Sequence, residues 1–432
     1  MSVKPRILYI SSPNPLEGPG AIGFKHYTQL KAAGLDVDML TLNEVKGHPE
    51  IKYIIGQPLF KRIFNYIIWR IKKITKTSNS QNLHAPYFVF YEREDTPPIP
   101  TDVILRQINK QYDLVIVYFW QQLLGFEAIE AIFDKIHPVF FFLAPDFSHM
   151  TGGCHFPGDC SHYKDGCGCC PAYKSSDSND FTHWNVEYRR RVYDKVKPIV
   201  FGNSYMLSYY RQSYLLKDVK VIKGLPTLDI DQYHPVETTW LENRLGIDKN
   251  DYFIVAFGCQ SLSDPRKGIN LLIKALNEWY QRIDDIQRSK IILVAAGGSF
   301  ESIKDEILFR SFGVGMLNIS QLPTFYSMAD VFVCPSVNDA GPSMVAQSIA
   351  CGTPVVGFEM GALLDYVKDK GTGSCVEVGN VSALADAMDA FFKMDKSELL
   401  AYSERCLRYA KENPSEKKID YWLNIYHKEA KK

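Results

Sequence analysis

Short apolar runs alternate with helix-period segments along almost the whole of this 432-residue chain. The apolar runs lie at 6–12, 36–42, 113–119, 138–144, 198–203 and 219–225, and again at 252–258, 290–296, 315–320, 330–336, 354–359 and 374–378. Runs that are apolar on both faces and separated by helices indicate parallel sheets covered on both sides. Because the chain is longer than one core usually organises, the pattern predicts two doubly wound, Rossmann-like domains of the α/β class.

The polar stretch 229–240, which contains Pro235, is the expected seam between the two domains. We therefore predict an N-terminal domain at 1–235, a C-terminal domain at 236–410, and a final segment at 411–432 whose helix packs back on the N-terminal domain. Ligands of doubly wound sheets bind outside the carboxyl ends of the strands. Two such domains facing across a cleft would place a ligand between those ends.

Charge and hydropathy exclude several classes of protein. The chain has 49 basic and 49 acidic residues, so it lacks the basic excess of a general nucleic-acid binder. No segment reaches the ~18 uncharged apolar residues of a membrane span, and the first apolar run is too short for a secretory signal. We expect a cytoplasmic protein, in which the ten cysteines are thiols or metal ligands rather than disulfides.

The segment 338–358, NDAGPSMVAQSIACGTPVVGF, combines a small-residue loop, a short apolar helix and a buried strand. The amides of Ser343 and Met344 would be unpaired donors at the positive end of the helix dipole, which suits an anion. Gly341 would allow a ligand to come close, and Asp339 and Gln347 could hold sugar hydroxyls. A capped crossover with Asp339 in a turn is an equally good interpretation on physical grounds alone.

The same segment resembles the signature of retaining glycosyltransferases of family 4, which have the GT-B fold. That signature places two glutamates eight positions apart before ACGTPVV, the sequence of residues 350–356 here. Asp339 and Gln347 fall at the two glutamate positions. The resemblance covers most of the chain and implies transfer of a hexose or deoxyhexose from a nucleotide diphosphate sugar without a metal ion. The missing charge of Gln347 implies a donor held differently or more weakly, because charge-assisted hydrogen bonds are roughly twice as strong as neutral ones.

Two other segments fit this resemblance. Arg266 and Lys267 follow the run 252–258, where the family carries a basic residue that neutralises the leaving diphosphate, and Lys267 matches that position best. A solvated basic helix start is the less attractive alternative, because cations oppose the helix dipole there. The segment 18–23 spells GxGxxG, and the resemblance makes Gly18 and Gly20 candidates for a loop over the donor phosphates.

Candidates for base and acceptor recognition are also taken from the resemblance. Backbone near Met316 and Leu317 is expected to contact the nucleotide base. Asp146 follows the run 138–144, at a place where related enzymes often have a His-Asp pair and approach the transferred sugar. Pro145 replaces that histidine here, so His149 is either its substitute or an ordinary loop residue.

An insert at 151–171 holds five of the ten cysteines. Cys154, Cys160, Cys167 and Cys170 have the spacing C-x5-C-x6-C-x2-C, which could supply four thiolates to a structural zinc ion. Disulfides or reduced thiols are the alternatives. Similar TGGCH and GCxxCP motifs occur in family 4 enzymes that build bacterial surface polysaccharides, so the resemblance implies a glycan or lipid-linked acceptor.

The segment 58–76 carries six basic residues and no acid beside an apolar face. It is typical either of an amphipathic helix resting on anionic lipid at the inner face of the plasma membrane or of an ordinary helix with a basic exposed face. For the whole chain we predict a retaining GT-B glycosyltransferase. The alternatives are a catalytically silent GT-B subunit that binds sugar nucleotide and an NAD(P)-dependent oxidoreductase built on the GxGxxG segment.

Overall fold

The structure, a computed structural model, describes residues 4–16, 18–54, 88–89, 94 and 99–431. The chain divides into two compact units. The first comprises Met1–Gly202, Leu207–Lys223 and Ile419–Lys432, and the second comprises Asn203–Met206 and Gly224–Lys418. The boundary between the two units falls at Gly224, five residues before the polar stretch 229–240 where we expected it. The amphipathic segment predicted at 58–76 lies outside the described residues.

Within the residues that the structure describes, the sheet of the first unit has seven parallel strands in the order β3-β2-β1-β5-β6-β8-β9. Its strands are β1 (Ile7–Ser11), β2 (Val37–Thr41), β3 (Lys52–Tyr53), β5 (Leu114–Phe119), β6 (Val139–Leu143), β8 (Ile199–Gly202) and β9 (Lys220–Lys223). A short antiparallel pair, β4 (Phe88–Val89) and β7 (Cys154–Phe156), stands apart from it. The central strands are buried on both faces, as continuous apolar runs predict for a parallel sheet.

The sheet of the second unit has six parallel strands in the order β12-β11-β10-β13-β14-β15. They are β10 (Phe253–Ser261), β11 (Ile291–Gly298), β12 (Ser311–Gly315), β13 (Val331–Cys334), β14 (Val355–Phe358) and β15 (Gly373–Val376). Strands β10 and β13 are neighbours although β11 and β12 separate them in the chain. Their carboxyl ends therefore meet at one edge of the sheet, where the order of the strands reverses.

Helices connect and cover the strands. In chain order they are α1 (Gly18–Ala32), α2 (Thr101–Gln107), α3 (Phe126–Ile136), α4 (Phe181–Val196), α5 (Ser204–Tyr210), α6 (Thr239–Leu245), α7 (Ile269–Arg282), α8 (Asp285–Ser289), α9 (Leu322–Met328), α10 (Ser343–Ala350), α11 (Leu363–Tyr366), α12 (Val381–Phe392), α13 (Lys396–Glu412) and α14 (Lys417–Glu429). Helix α14 buries Ile419, Trp422 and Ile425 in the core of the first unit, beside β1 and β5. Among the described residues, no helix is both long and apolar enough to cross a bilayer.

The prediction of a strand at 315–320 is wrong. The strand is Ser311–Gly315, and Gly315 ends it in a left-handed conformation with φ of 70°. The apolar side chains that suggested the strand lie at the surface, with Met316 63% and Ile319 45% exposed. Local apolar pattern cannot distinguish an exposed loop of this kind from a buried strand.

Candidate functional site

The loop after β13 holds a buried carboxylate. Asp339 lies five residues beyond the end of the strand, and its side chain is 10% exposed. Its Oδ1 accepts the backbone N–H of Gly341 at 3.1 Å, which closes a turn immediately before helix α10. One carboxylate oxygen therefore stabilises the backbone of the loop, and the other is available to bind a second side chain.

That loop is joined to the turn that follows β10. The carbonyl oxygen of Arg266 accepts the N–H of Val337 at 2.9 Å, which ties the turn to the neighbouring strand end. Gly268 has φ of 65°, and a Cβ there would lie 1.9 Å from the carbonyl oxygen of Pro335. Only glycine fits this close approach, and it brings the residue before it, Lys267, against the loop.

Lys267 and Asp339 form an ion pair between Nζ and Oδ2. Burial alone would lower the pKa of Lys267, but the charge of Asp339 and its hydrogen bond raise the pKa above its usual value of 10.5. The lysine is therefore a fixed positive charge at neutral pH. Arg266 instead donates from Nη2 to Asp264 Oδ2 at 2.6 Å, so its neighbour Asp264 already engages it.

Helix α10 begins beside this ion pair. Pro342 is its N-cap residue, with φ of −61° and ψ of 111°. Within the described chain no side chain caps the helix start, and its first turn carries no acidic residue. The amides of Ser343 and Met344 thus have no partner inside the helix, and they face out of its N-terminus at the positive end of the helix dipole.

The side chain of Gln347 is held by hydroxyl groups. Its Oε1 accepts the Tyr326 O–H of helix α9 at 2.7 Å, and its amide also bonds the Tyr233 hydroxyl. Burial raises the pKa of Tyr233 to about 12, so that hydroxyl is neutral and its oxygen accepts a hydrogen bond from the amide. Nothing in the spacing of the sequence indicated these two tyrosines, because they lie on separate elements.

The candidates for base and phosphate contact are placed as follows. Met316 and Leu317 follow the carboxyl end of β12, the edge of the sheet where ligands bind in this class of fold. Gly18 and Gly20 lie inside helix α1 rather than in a loop. A Cβ at Gly20 would lie 1.9 Å from the carbonyl oxygen of Asn14, so this glycine serves the packing of the β1–α1 loop against the helix. Their contact with a donor stays a prediction.

In the first unit, Asp146 follows β6 and is buried. Its Oδ1 accepts the Ser148 N–H at 2.8 Å, and its Oδ2 lies 2.6 Å from His155 Nδ1. Burial alone would raise the pKa of Asp146, but the bond to His155, that residue's charge and the Ser148 N–H hold it below its usual 3.8. The carboxylate is therefore ionised and tied to an imidazole.

The imidazole is not the one we considered. His149 is fully buried against Trp120, with ring centroids 4.5 Å apart, and burial lowers its pKa to about 3. Neither of its ring nitrogens has a hydrogen-bond partner within the described structure. His149 is a core residue, and His155 of the TGGCH motif is the histidine that contacts Asp146. The TGGCH motif was the sequence signal that could have identified this histidine.

All ten cysteines are free thiols. Cys334, Cys351 and Cys406 are buried in the core of the second unit. Cys154, Cys160, Cys167 and Cys170 lie together in the insert of the first unit. As they stand, no three His, Cys, Asp or Glu side chains of the described residues form a group that could hold a metal ion. The zinc site stays a prediction.

A protein-family model matches this chain within the second unit. Residues 242–413 match the family model "Glycosyl transferases group 1". A D-inositol 3-phosphate glycosyltransferase from Actinosynnema mirum is 26% identical over 186 residues, which are 40% of this chain and 44% of that protein. The chain spans between 35% and 54% of the length of the curated relatives it matches.

Solved structures resemble the chain over nearly its whole length. Sucrose-phosphate synthase from Thermosynechococcus elongatus has a TM-score of 0.65 at 15% identity, covering 98% of both chains. Anabaena HepE in complex with UDP and glucose has a TM-score of 0.60 at 12% identity, covering 98% of this chain and 100% of that one. At these identities the likeness shows the fold, and it confirms the GT-B class with two parallel-sheet α/β domains.

Proposed function

We propose that this chain is a glycosyltransferase that takes its sugar from a nucleoside-diphosphate sugar bound to the second unit. The observation that carries the proposal is the Lys267–Asp339 pair beside the uncapped start of helix α10. A diphosphate needs positive charge and N–H donors that are already in place, and an ammonium beside a helix N-terminus supplies both. The match of residues 242–413 to the glycosyl transferase model supports the same assignment.

In the proposed reaction the bond between the anomeric carbon and the diphosphate oxygen breaks, and a bond from that carbon to an acceptor oxygen forms. The proton of the acceptor hydroxyl passes to the departing phosphate. Negative charge grows on the diphosphate as its bond breaks, so Lys267 and the amides of Ser343 and Met344 stabilise the transition state more than the ground state. Asp339, once Lys267 turns to the phosphate, is free to accept hydroxyls of the donor sugar.

The finer features of the proposal rest on the sequence signature. We propose a retaining, metal-independent reaction of the family 4 type, with departure and attack on the same face of the sugar. The acceptor is a glycan or a lipid-linked saccharide in polysaccharide synthesis, and Asp146 and His155 are the candidates to contact it. HepE binds UDP and glucose, which makes uridine diphosphate sugars the first donors to test.

A binding-only role is the second candidate, and one observation favours it. The two residues at the glutamate positions are already engaged within their own unit, Asp339 by Lys267 and Gln347 by Tyr326. A protein of this kind would bind a sugar nucleotide without breaking its glycosidic bond.

The deciding experiment has two steps. Thermal shift with UDP-, GDP- and ADP-linked sugars, and with NADH and NADPH, identifies the ligand class. Proton NMR of the anomeric signal, with the stabilising donor and a glycan acceptor, then reports transfer and the configuration of the product. Transfer with retention supports the proposal, donor binding with neither transfer nor hydrolysis supports the silent subunit, and stabilisation by NADH or NADPH alone overturns both.

A further inference from the structure

The insert at 151–171 is a region without a core of its own. It contains β7 and two single turns, His162–Lys164 and Pro171–Tyr173, and Tyr163 is its one large side chain that is buried. Several of its residues have positive φ, including Cys167 at 60° and Cys169 at 43°. Apolar burial does not explain why this chain holds so strained and compact a shape.

Four thiols occupy the middle of the insert. Cys154 lies close enough to Cys160, Cys167 and Cys170 for each charge to affect its pKa. Cys167 is close to Cys160 and Cys170 in the same sense, and Cys170 is close to Cys160. In all six pairs that the four cysteines can form, one charge is thus near enough to affect the other, so the four side chains lie together in the insert. The fifth thiol of the insert, Cys169, instead donates to the carbonyl oxygen of Ser176 at 3.5 Å.

Backbone N–H groups point at three of these sulfurs. Gly152 donates to Cys167 Sγ at 3.3 Å. His162 donates to Cys160, and Ala172 and Tyr173 donate to Cys170. A thiol sulfur is a weak acceptor, whereas a thiolate is a strong one. Donors directed at three of four clustered sulfurs are therefore an arrangement suited to thiolates.

As they stand, the four side chains do not form a closed ligand group among the described residues. A divalent cation would release the protons and draw the sulfurs in.

We propose that Cys154, Cys160, Cys167 and Cys170 bind one structural zinc ion as a tetrathiolate. Zn²⁺ takes four thiolates in a closed tetrahedron at about 2.3 Å and has no redox chemistry of its own. Binding converts four thiols to thiolates with loss of four protons, and the N–H donors stabilise the resulting charge. The observations that support this site do not depend on the proposed glycosyl transfer, and the ion would hold together an insert that has no hydrophobic core.

The proposed zinc site lies next to the Asp146–His155 pair. Cys154 directly precedes His155, the residue that bonds Asp146, and both lie on or beside the short strand β7. A metal ion that fixes Cys154 would fix the position of the imidazole. Removal of zinc is therefore expected to loosen the Asp146–His155 pair as well as the insert.

The test is the metal content of the full-length protein, purified without a metal-binding tag. We expect about one zinc per chain by inductively coupled plasma mass spectrometry, no iron, and release of that zinc when a mercurial reagent titrates the thiols. Cys154→Ser and Cys170→Ser should each lose the metal. Cys169→Ser is the matched control from the same insert and should keep it.

Failure of the serine variants to fold does not remove the test, because the wild-type measurements stand alone. Metal-free wild-type protein would overturn the proposal, whether its four cysteines are then reduced or paired as disulfides in a thiol count under denaturing conditions. Stoichiometric iron would also overturn it. Zinc retained in Cys154→Ser and Cys170→Ser would place the ion elsewhere.

Discussion

Two loops, one in each unit, are built on the same plan. Asp146 follows β6 in the first unit, and Asp339 follows β13 in the second. Each carboxylate is buried, and each uses Oδ1 to accept the backbone N–H two residues further on, from Ser148 at 2.8 Å and from Gly341 at 3.1 Å. Each then pairs Oδ2 with a basic side chain from another part of the chain.

The basic partner distinguishes the two loops. Lys267 carries a charge that persists through the neutral range, because its pKa is raised. His155 is an imidazole, which can donate one proton and carry another. The first arrangement suits a permanent counter-charge for phosphate, and the second suits an exchangeable hydrogen bond to a hydroxyl group. The same turn therefore serves two kinds of chemistry according to which residue the fold brings to it.

The largest effect is expected when the permanent charge of Lys267 is removed, because this charge is what distinguishes the second loop from the first. Lys267→Ala should lower kcat/KM for the sugar nucleotide by at least about tenfold, because a transition-state contact to the diphosphate is lost. Lys267→Arg should recover part of the rate, since it keeps the charge. Lys274→Ala, a change at an exposed lysine on the following helix, is the control and should leave turnover unchanged.

Folding must be separated from chemistry in that experiment, since Lys267→Ala leaves Asp339 buried without its partner. Thermal unfolding of each variant supplies the correction, and Lys267→Arg supplies a folded comparison. A folded Lys267→Ala protein with wild-type kcat/KM would remove this lysine from the site.

The second prediction concerns the exchangeable pair. His155→Ala leaves the Asp146 carboxylate buried without its partner, which should cost about 1–3 kcal/mol in the unfolding free energy of the first unit. His155→Gln can still donate an N–H to Asp146, so it should be less destabilised. His234→Ala, at an exposed histidine of the second unit, is the control in chemical denaturation. Equal stability of His155→Ala and wild type would show that Asp146 does not depend on the imidazole.

Sequence pattern was enough to place most strands, because apolar runs such as 252–258 and 330–336 can be buried only between two layers of helices. It was not enough at 315–320, where Gly315 ends the strand and apolar side chains lie in solvent. The apolar pattern of a sequence shows how apolar a segment is, but it does not show whether a turn of the backbone keeps that segment out of the core.

The site was predictable where topology brings strand ends together, and much less so where single side chains find each other. Lys267 and Asp339 follow two strands that are neighbours in the sheet, so their approach follows from the order of the strands. The 147–150 turn buries His149 and leaves the contact with Asp146 to His155, and the link from Gln347 to Tyr326 joins separate helices. Such pairings depend on side-chain packing that no local spacing encodes.

The third prediction extends the comparison to Gln347. Gln347→Glu restores the charge of the family signature, and Tyr326 can still donate to the new carboxylate. We expect KM for the donor to fall by about two- to tenfold with little change in kcat, because a charge-assisted bond replaces a neutral one. Steady-state kinetics decide this, with Tyr326→Phe as the variant that removes only the hydroxyl. Unchanged or weaker donor binding would show that Gln347 contacts Tyr326 and Tyr233 but not the donor.

The smallest expected effect is in the acid range, and it compares the two carboxylates directly. The pKa of Asp146 is held below 3.8 in the folded state, so its ionised form stabilises the first unit above the unfolded value of about 3.9. That contribution is lost as the pH falls through the lower folded value. In urea unfolding, the stability difference between wild type and Asp146→Asn should therefore be present at about pH 5 and shrink below about pH 4. A difference that stays constant throughout that acid range would mean that Asp146 contributes through its shape and hydrogen bonds rather than through its charge.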